Sequence, residues 1–168
     1  MHSIYELTTA FDAFGWLETI FRLVLAILAG GVLGWERERL QKPAGLRTHM
    51  MVALGSATFM LTTLEFATHF QTESSLFRID PTRTLAGIIG GVGFLGAGTI
   101  MEARGSVHGI TTAASIWVVA AIGVACGVGL YQIAFTSVLL AFTVLTLIGF
   151  FEAKAFDGEN PEQENEQL

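Results

Sequence analysis

Leu17-Glu-Thr-Ile-Phe-Arg-Leu-Val-Leu-Ala-Ile-Leu-Ala-Gly-Gly-Val-Leu-Gly-Trp35 reads as a membrane-crossing helix. A hydrocarbon core of about 30 Å takes about 20 mainly apolar residues in helical form, and this run supplies them with only two charges. Four similar windows follow at 48–67, 84–101, 109–130 and 131–151, separated by short polar breaks. The last two nearly touch, so Gly127-Val128-Gly129 with Tyr131-Gln132 reads as a tight turn between two helices, with one long helix as the alternative. Composition agrees: 52% of the residues are hydrophobic and 14% charged, with mean hydropathy +0.57. Soluble domains carry about 25% charged residues. The reading is an all-α polytopic membrane protein, with a five-helix transmembrane domain over 1–151 and an acidic tail over 152–168. No Lys or Arg precedes Arg22, and the first apolar run is too long for a cleaved signal peptide.

Charge placement gives an orientation. The net charge is −6, and the tail holds Glu152, Asp157, Glu159, Glu162, Glu164 and Glu166 against Lys154. A segment so acidic and poor in apolar residues is expected to be solvated and disordered, with protein docking as the alternative. Basic residues are retained on the cytoplasmic side of short loops. Arg37, Arg39, Lys42, Arg47, Arg104 and Lys154 fall on one side, and only Arg78 and Arg83 on the other. The N-terminus is therefore placed outside and the C-terminus in the cytoplasm. A lone Cys126 excludes a disulfide scaffold, and the absence of a basic run excludes nucleic acid as a partner.

Gly91-Val92-Gly93-Phe94-Leu95-Gly96 matches the spacing of a dinucleotide-binding turn. It lies inside an apolar window with no strand before it and no acid about twenty residues later, which argues against a nucleotide site, and no cofactor is expected. Packing is the better reading, because helices in lipid associate through small residues that let backbones approach. Pairs spaced by four residues mark such faces: Gly30 and Gly34, Gly87 and Gly91, Gly123 and Gly127. Helices one, three and four are expected to form the tight centre, with Ala53 and Ala57 drawing helix two against them. Bulkier helix five is expected to face lipid or a second subunit in a homodimer.

Several stretches in order are similar to the MgtC/SapB family of bacterial inner-membrane proteins. They are Gly34-Trp-Glu36-Arg37-Glu38-Arg39, then Pro43-Ala44-Gly45-Leu46-Arg47-Thr48-His49, and Asp80-Pro81-Thr82-Arg83. Gly93-Phe94-Leu95-Gly96-Ala97-Gly98 and Gly109-Ile110-Thr111-Thr112-Ala113-Ala114-Ser115-Ile116-Trp117 complete the set. The resemblance implies five membrane helices with a periplasmic N-terminus, a role in growth at low magnesium and in survival of pathogens inside macrophages. For some members it implies restraint of the F-type ATP synthase. It also implies that magnesium transport, the family's first assignment, is in dispute. Longer members carry a soluble C-terminal domain; here the acidic tail follows the last helix, so functions of that domain are not expected.

The polar residues concentrate at the expected cytoplasmic rim: Glu36, Arg37, Glu38, Arg39, Arg47, Thr48, His49, Glu102, Arg104 and His108. Pairing of Glu36 with Arg47 and their neighbours would satisfy these charges structurally, or the rim could serve as a surface for a partner. Glu18 and Arg22 share a helix face at i,i+4, forming either an ion pair or part of a polar path toward Glu65 or Asp80. Asp80 before Pro81 and Arg83 reads most simply as a helix cap. No His or Cys pair has metal-ligand spacing, so no metal ligands are named, although two carboxylates such as Glu36 and Glu102 could hold magnesium weakly. No catalytic constellation is present and no enzyme is expected. Two readings follow: a non-enzymatic membrane regulator acting through its rim, and a divalent cation or proton transporter using Glu18, Arg22, Glu65 and Asp80.

Overall fold

The computed structural model describes residues 15–73, 79–103 and 105–149. Helix α1 (Trp16–Arg39) runs four residues past the expected end at Trp35. Glu36 to Arg39 are good helix formers, and Arg37 and Arg39 in the last turn face the negative end of the helix dipole. Gln41, at φ 53, and Pro43 then turn the chain away. Helix α2 (Leu46–Glu73) overruns its expected end as well, because leaving the apolar layer does not itself stop a helix.

Helix α3 (Pro81–Ala97) starts and ends earlier than the window 84–101. Asp80 caps it, accepting from the Thr82 N–H at 2.9 Å and the Thr82 hydroxyl at 2.6 Å, with Pro81 at the first helical position. Its 17 residues span about 25 Å, short of a full hydrocarbon core. The expected loop after it holds an antiparallel hairpin of β1 (Met101–Ala103) and β2 (Ser106–His108), with Gly105 at φ 79 in the turn. Helix α4 (Ile110–Val128) is bracketed by Gly109 at φ 92 and Gly129 at φ 85. At Gly129 the left-handed residue lets the Leu130 N–H reach the Ala125 carbonyl at 2.8 Å, which closes α4 and releases the chain into α5 (Tyr131–Thr143). The last turns of α5 continue as a π-helical segment, Val144–Ile148.

Helix α2 sits between α1 and α4 at near-backbone contact. A Cβ on Gly30 would lie 2.6 Å from the His49 carbonyl oxygen, and one on Gly34 2.8 Å from the Leu46 Cα. On the other side, a Cβ on Gly127 would lie 2.7 Å from the Ala57 carbonyl oxygen, and Gly123 abuts the Ala53 backbone. Ala26, Leu33, Ala53, Ala57, Ile122 and Cys126 fill the space between them. The centre is therefore helices one, two and four, which corrects the expected trio of one, three and four. Gly87 and Gly91 face open space. Helix α3 instead turns Ile88, Val92 and Gly96 inward, toward Ile116 and Ala120 of α4, because the face carrying Ile88 and Val92 buries more apolar surface than the glycine face. Helix α5 buries only Ala134 and leaves Phe135, Leu139 and Leu140 exposed.

Among the described residues four helices, α1, α2, α4 and α5 with its π-helical end, are long and apolar enough to cross a membrane. Exposed Trp16, Phe21, Phe59, Phe94 and Phe135 would be untenable in water and are ordinary against lipid.

Candidate functional site

The end of the bundle where α1 stops and α4 begins carries most of the polar residues. Glu36 and Arg37 occupy adjacent positions on α1, both buried, and clasp each other: the Arg37 Nη2 lies 2.9 Å from Glu36 Oε1, and Nε reaches Oε2. Burying two charges is tolerable only with such fork-to-fork pairing. The expected partner of Glu36 was Arg47, which is exposed on α2 instead. Both oxygens of Glu36 are engaged, so it does not form an open oxygen cradle with Glu102, which is exposed on β1. Glu38 reaches across the loop and accepts from the Leu46 N–H at 3.0 Å, placing a carboxylate at the positive end of α2. That carboxylate occupies the space a Cβ on Gly45 would need.

His49, one turn into α2, has no exposed surface. Its Nδ1 is 2.9 Å from the Gly45 carbonyl oxygen and its Nε2 3.0 Å from the Ser115 Oγ on α4, while the Ser115 hydroxyl lies 2.8 Å from the Thr112 carbonyl oxygen. Carbonyl oxygens only accept, so Nδ1 carries a proton. The single Ser115 proton then decides the charge of the ring. If it goes to Thr112, Nε2 must donate and the ring is a cation; if the ring is neutral, that proton turns to Nε2. His49 thus ties α2 to α4 through Ser115 in either protonation state, with only the direction of the bond reversed.

A cavity of about 1600 Å³ opens beside this network, between the loop after α1, β2, the first turn of α4 and the π-helical end of α5. Arg37, Arg39, Lys42, His108 and Thr112 border it on one side, and Val144, Leu145 and Ile148 on the other.

The opposite end holds a second cluster. The Arg22 Nε donates to Glu18 Oε1 at 2.8 Å, and Nη1 to the Gly127 carbonyl at 2.9 Å in the last turn of α4. The Tyr131 hydroxyl, in the first turn of α5, donates to the same Glu18 oxygen at 2.6 Å. Three helices meet on one guanidinium and one carboxylate. Glu18 and Arg22 thus pair with each other and with α4 and α5, while Asp80 caps α3 and Glu65 lies on α2.

Of the remaining expected residues, Arg39, Thr48, Arg83 and His108 are exposed, and Arg104 and the tail lie outside the described residues. Sequence reasoning missed Ser115, Thr112 and Tyr131. Ser115 and Thr112 lie three apart inside a mainly apolar helix, a spacing that places both on one face.

The sequence profile of the MgtC family matches residues 23–154. The chain belongs to the MgtC family. It is 43% identical over 144 residues to SrpB of Synechococcus elongatus, covering 80% of this chain and 76% of that protein. It is 42% identical over 129 residues to YhiD of Escherichia coli, described as a putative magnesium transporter, covering 76% of this chain and 59% of YhiD. To MgtC of Brucella abortus it is 42% identical over 123 residues, which is 73% of this chain and 48% of that protein. The chain thus matches about half to three quarters of these relatives' lengths. No solved structure matches it. Fold and family together make it an MgtC-like multi-pass membrane protein with bacterial relatives.

Proposed function

We propose that this MgtC-like chain is a non-enzymatic regulator that supports growth when magnesium is scarce, acting by contact between its basic end and another membrane complex such as the F-type ATP synthase. In this reading the protein lies in the bacterial inner membrane with its N-terminus outside and its C-terminus and basic end in the cytoplasm, as the six-to-two basic asymmetry favours. The observation that carries the reading is the packing between the two polar clusters. Arg22 and Glu36 lie fourteen residues apart on α1, about 21 Å along its axis, and the bundle between them is occupied by Ala26, Gly30, Ala53, Ala57 and Gly123 at near-backbone contact. Such a centre holds a shape, and with Ser56 the buried polar side chain that α2 carries there among the described residues, it favours a static bundle over a polar relay.

The geometry also sorts the rim into two classes. Glu36, Arg37 and His49 are buried and serve the fold, whereas Arg39, Arg47, Thr48 and Glu102 are exposed and can meet a partner. A strain dependent on the protein for growth at low magnesium tests this. Arg39→Ala with Arg47→Ala should abolish growth support while the protein stays at normal level in the membrane, and crosslinking at low magnesium should lose a partner that the unaltered protein captures. Full growth support by the double variant contradicts the reading.

The description of YhiD as a putative magnesium transporter favours a second reading, cation transport. In a chain of five helices it would need a second copy to build a path, with the exposed face of α5 as the contact between copies.

A further inference from the structure

The cavity beside α4 is lined by more cationic donors than free carboxylates, since Glu36, the one carboxylate in its wall, is already paired. Glu36 is neutralised by Arg37, and Glu38 is engaged at the start of α2. Arg39 and Lys42, both at the cavity wall, form no ion pair among the described residues. Helix α4, 19 residues long, opens into the same space after Gly109, with no side chain capping its first amides. An uncapped helix start presents N–H groups and a positive dipole end.

Two buried side chains add independent support. Arg37 is 4% exposed, and while its Nε and Nη2 hold Glu36, its Nη1 has no partner among the described residues. Thr112 is 3% exposed, and its hydroxyl makes no hydrogen bond among the described residues although its carbonyl accepts from Ser115. Both border the cavity. Guanidinium, ammonium, hydroxyl and helix-start amides that line one cavity from different elements suit an anion with several oxygens, as a phosphate group has.

The far wall is mainly apolar, with Thr146 its polar side chain. Val144, Leu145 and Ile148 belong to the π-helical segment of α5, whose outer face is exposed where lipid would lie. Local π-helical turns are frequent at functional sites. A ligand charged at one end and apolar along the other fits both walls.

We propose that this cavity binds a phosphate group, carried as the headgroup of an anionic phospholipid whose chains run along α5. Basic pockets between membrane helices take such headgroups. The site shares Arg39 with the regulator reading but needs neither a protein partner nor low magnesium, so lipid binding in detergent can succeed or fail whatever the growth test shows.

The test uses the purified full chain in neutral detergent, with thermal unfolding followed as phosphatidylglycerol, phosphatidylcholine or inorganic phosphate is added. Phosphatidylglycerol should raise the unfolding temperature and phosphatidylcholine should not. Arg39→Gln with Lys42→Gln, both exposed positions, should leave the unliganded unfolding temperature unchanged and weaken the phosphatidylglycerol effect roughly thirtyfold in half-saturating concentration. Thr112→Val, which keeps the side-chain shape, should weaken it by a smaller factor. A shift with inorganic phosphate that the double variant abolishes, with no additional gain from phosphatidylglycerol, supports the phosphate site and assigns it to a soluble ester. Equal shifts with both lipids, no shift with any probe, or a phosphatidylglycerol shift that survives the double variant overturns the proposal.

Discussion

The Arg22 guanidinium on α1 donates to the Gly127 carbonyl on α4 across 105 residues of sequence, at 2.9 Å. The last carbonyls of a helix lack partners within the helix and carry the negative end of its dipole, so a cation there satisfies both. The same guanidinium holds Glu18, which holds Tyr131. One charge in α1 therefore ties the end of α4 to the start of α5.

Removing that guanidinium should be costly. Arg22→Leu leaves Glu18 with only Tyr131 among these partners and the Gly127 carbonyl without its donor. The loss is expected at about 2–4 kcal/mol, below that of a fully buried pair because the Glu18 side chain is 40% exposed. Unfolding by denaturing detergent measures it, and a change within about 0.5 kcal/mol would remove Arg22 from the account.

The glycine positions separate cleanly. Gly30→Leu and Gly123→Leu put a side chain into the α2 backbone and should prevent recovery of folded protein, whereas Gly91→Leu points into open space and should be tolerated. The yield of monodisperse protein in detergent reads this directly. Equal yields for all three contradict the α1–α2–α4 centre.

Ser115→Ala removes the hydroxyl beside His49 Nε2 in a site without solvent. The expected cost is about 1–3 kcal/mol, because a buried ring nitrogen is left unmatched. Ser115→Thr keeps the hydroxyl and should recover part of the loss in the same unfolding measurement.

Asp80 gives a pH dependence at the start of α3. Hydrogen bonds from the Thr82 hydroxyl and N–H hold its carboxyl below the usual range. A group with a lowered folded pKa stabilises the fold above its unfolded value, and the contribution disappears as pH falls through the folded one. The Thr82 amide should therefore exchange faster in acid once intrinsic rates are removed, and Asp80→Asn should flatten that dependence. An unchanged profile in the variant contradicts the cap's role.

Helix number, order and the α4–α5 turn were legible because apolar length and glycine punctuation depend only on local sequence. The Asp80-Pro81 cap was legible for the same reason. The face that α3 buries was not, since Gly87 and Gly91 have the same four-residue spacing as Gly123 and Gly127, and only the neighbour decides which stripe is used. Pairing was hidden likewise. Glu36 takes Arg37 beside it over Arg47 across the loop, and Glu18 finds Tyr131 at the far end of the chain. The hairpin at Met101–His108 was too short for any periodicity to show.

Ion flux into proteoliposomes is the decisive measurement, because packed glycine and alanine faces between the two polar clusters disfavour a relay across the bundle. Purified protein should give no magnesium or proton flux above protein-free vesicles, at low or high external magnesium. Saturable, selective flux that Glu18→Gln abolishes, with the protein still folded and inserted, would contradict the account and establish transport.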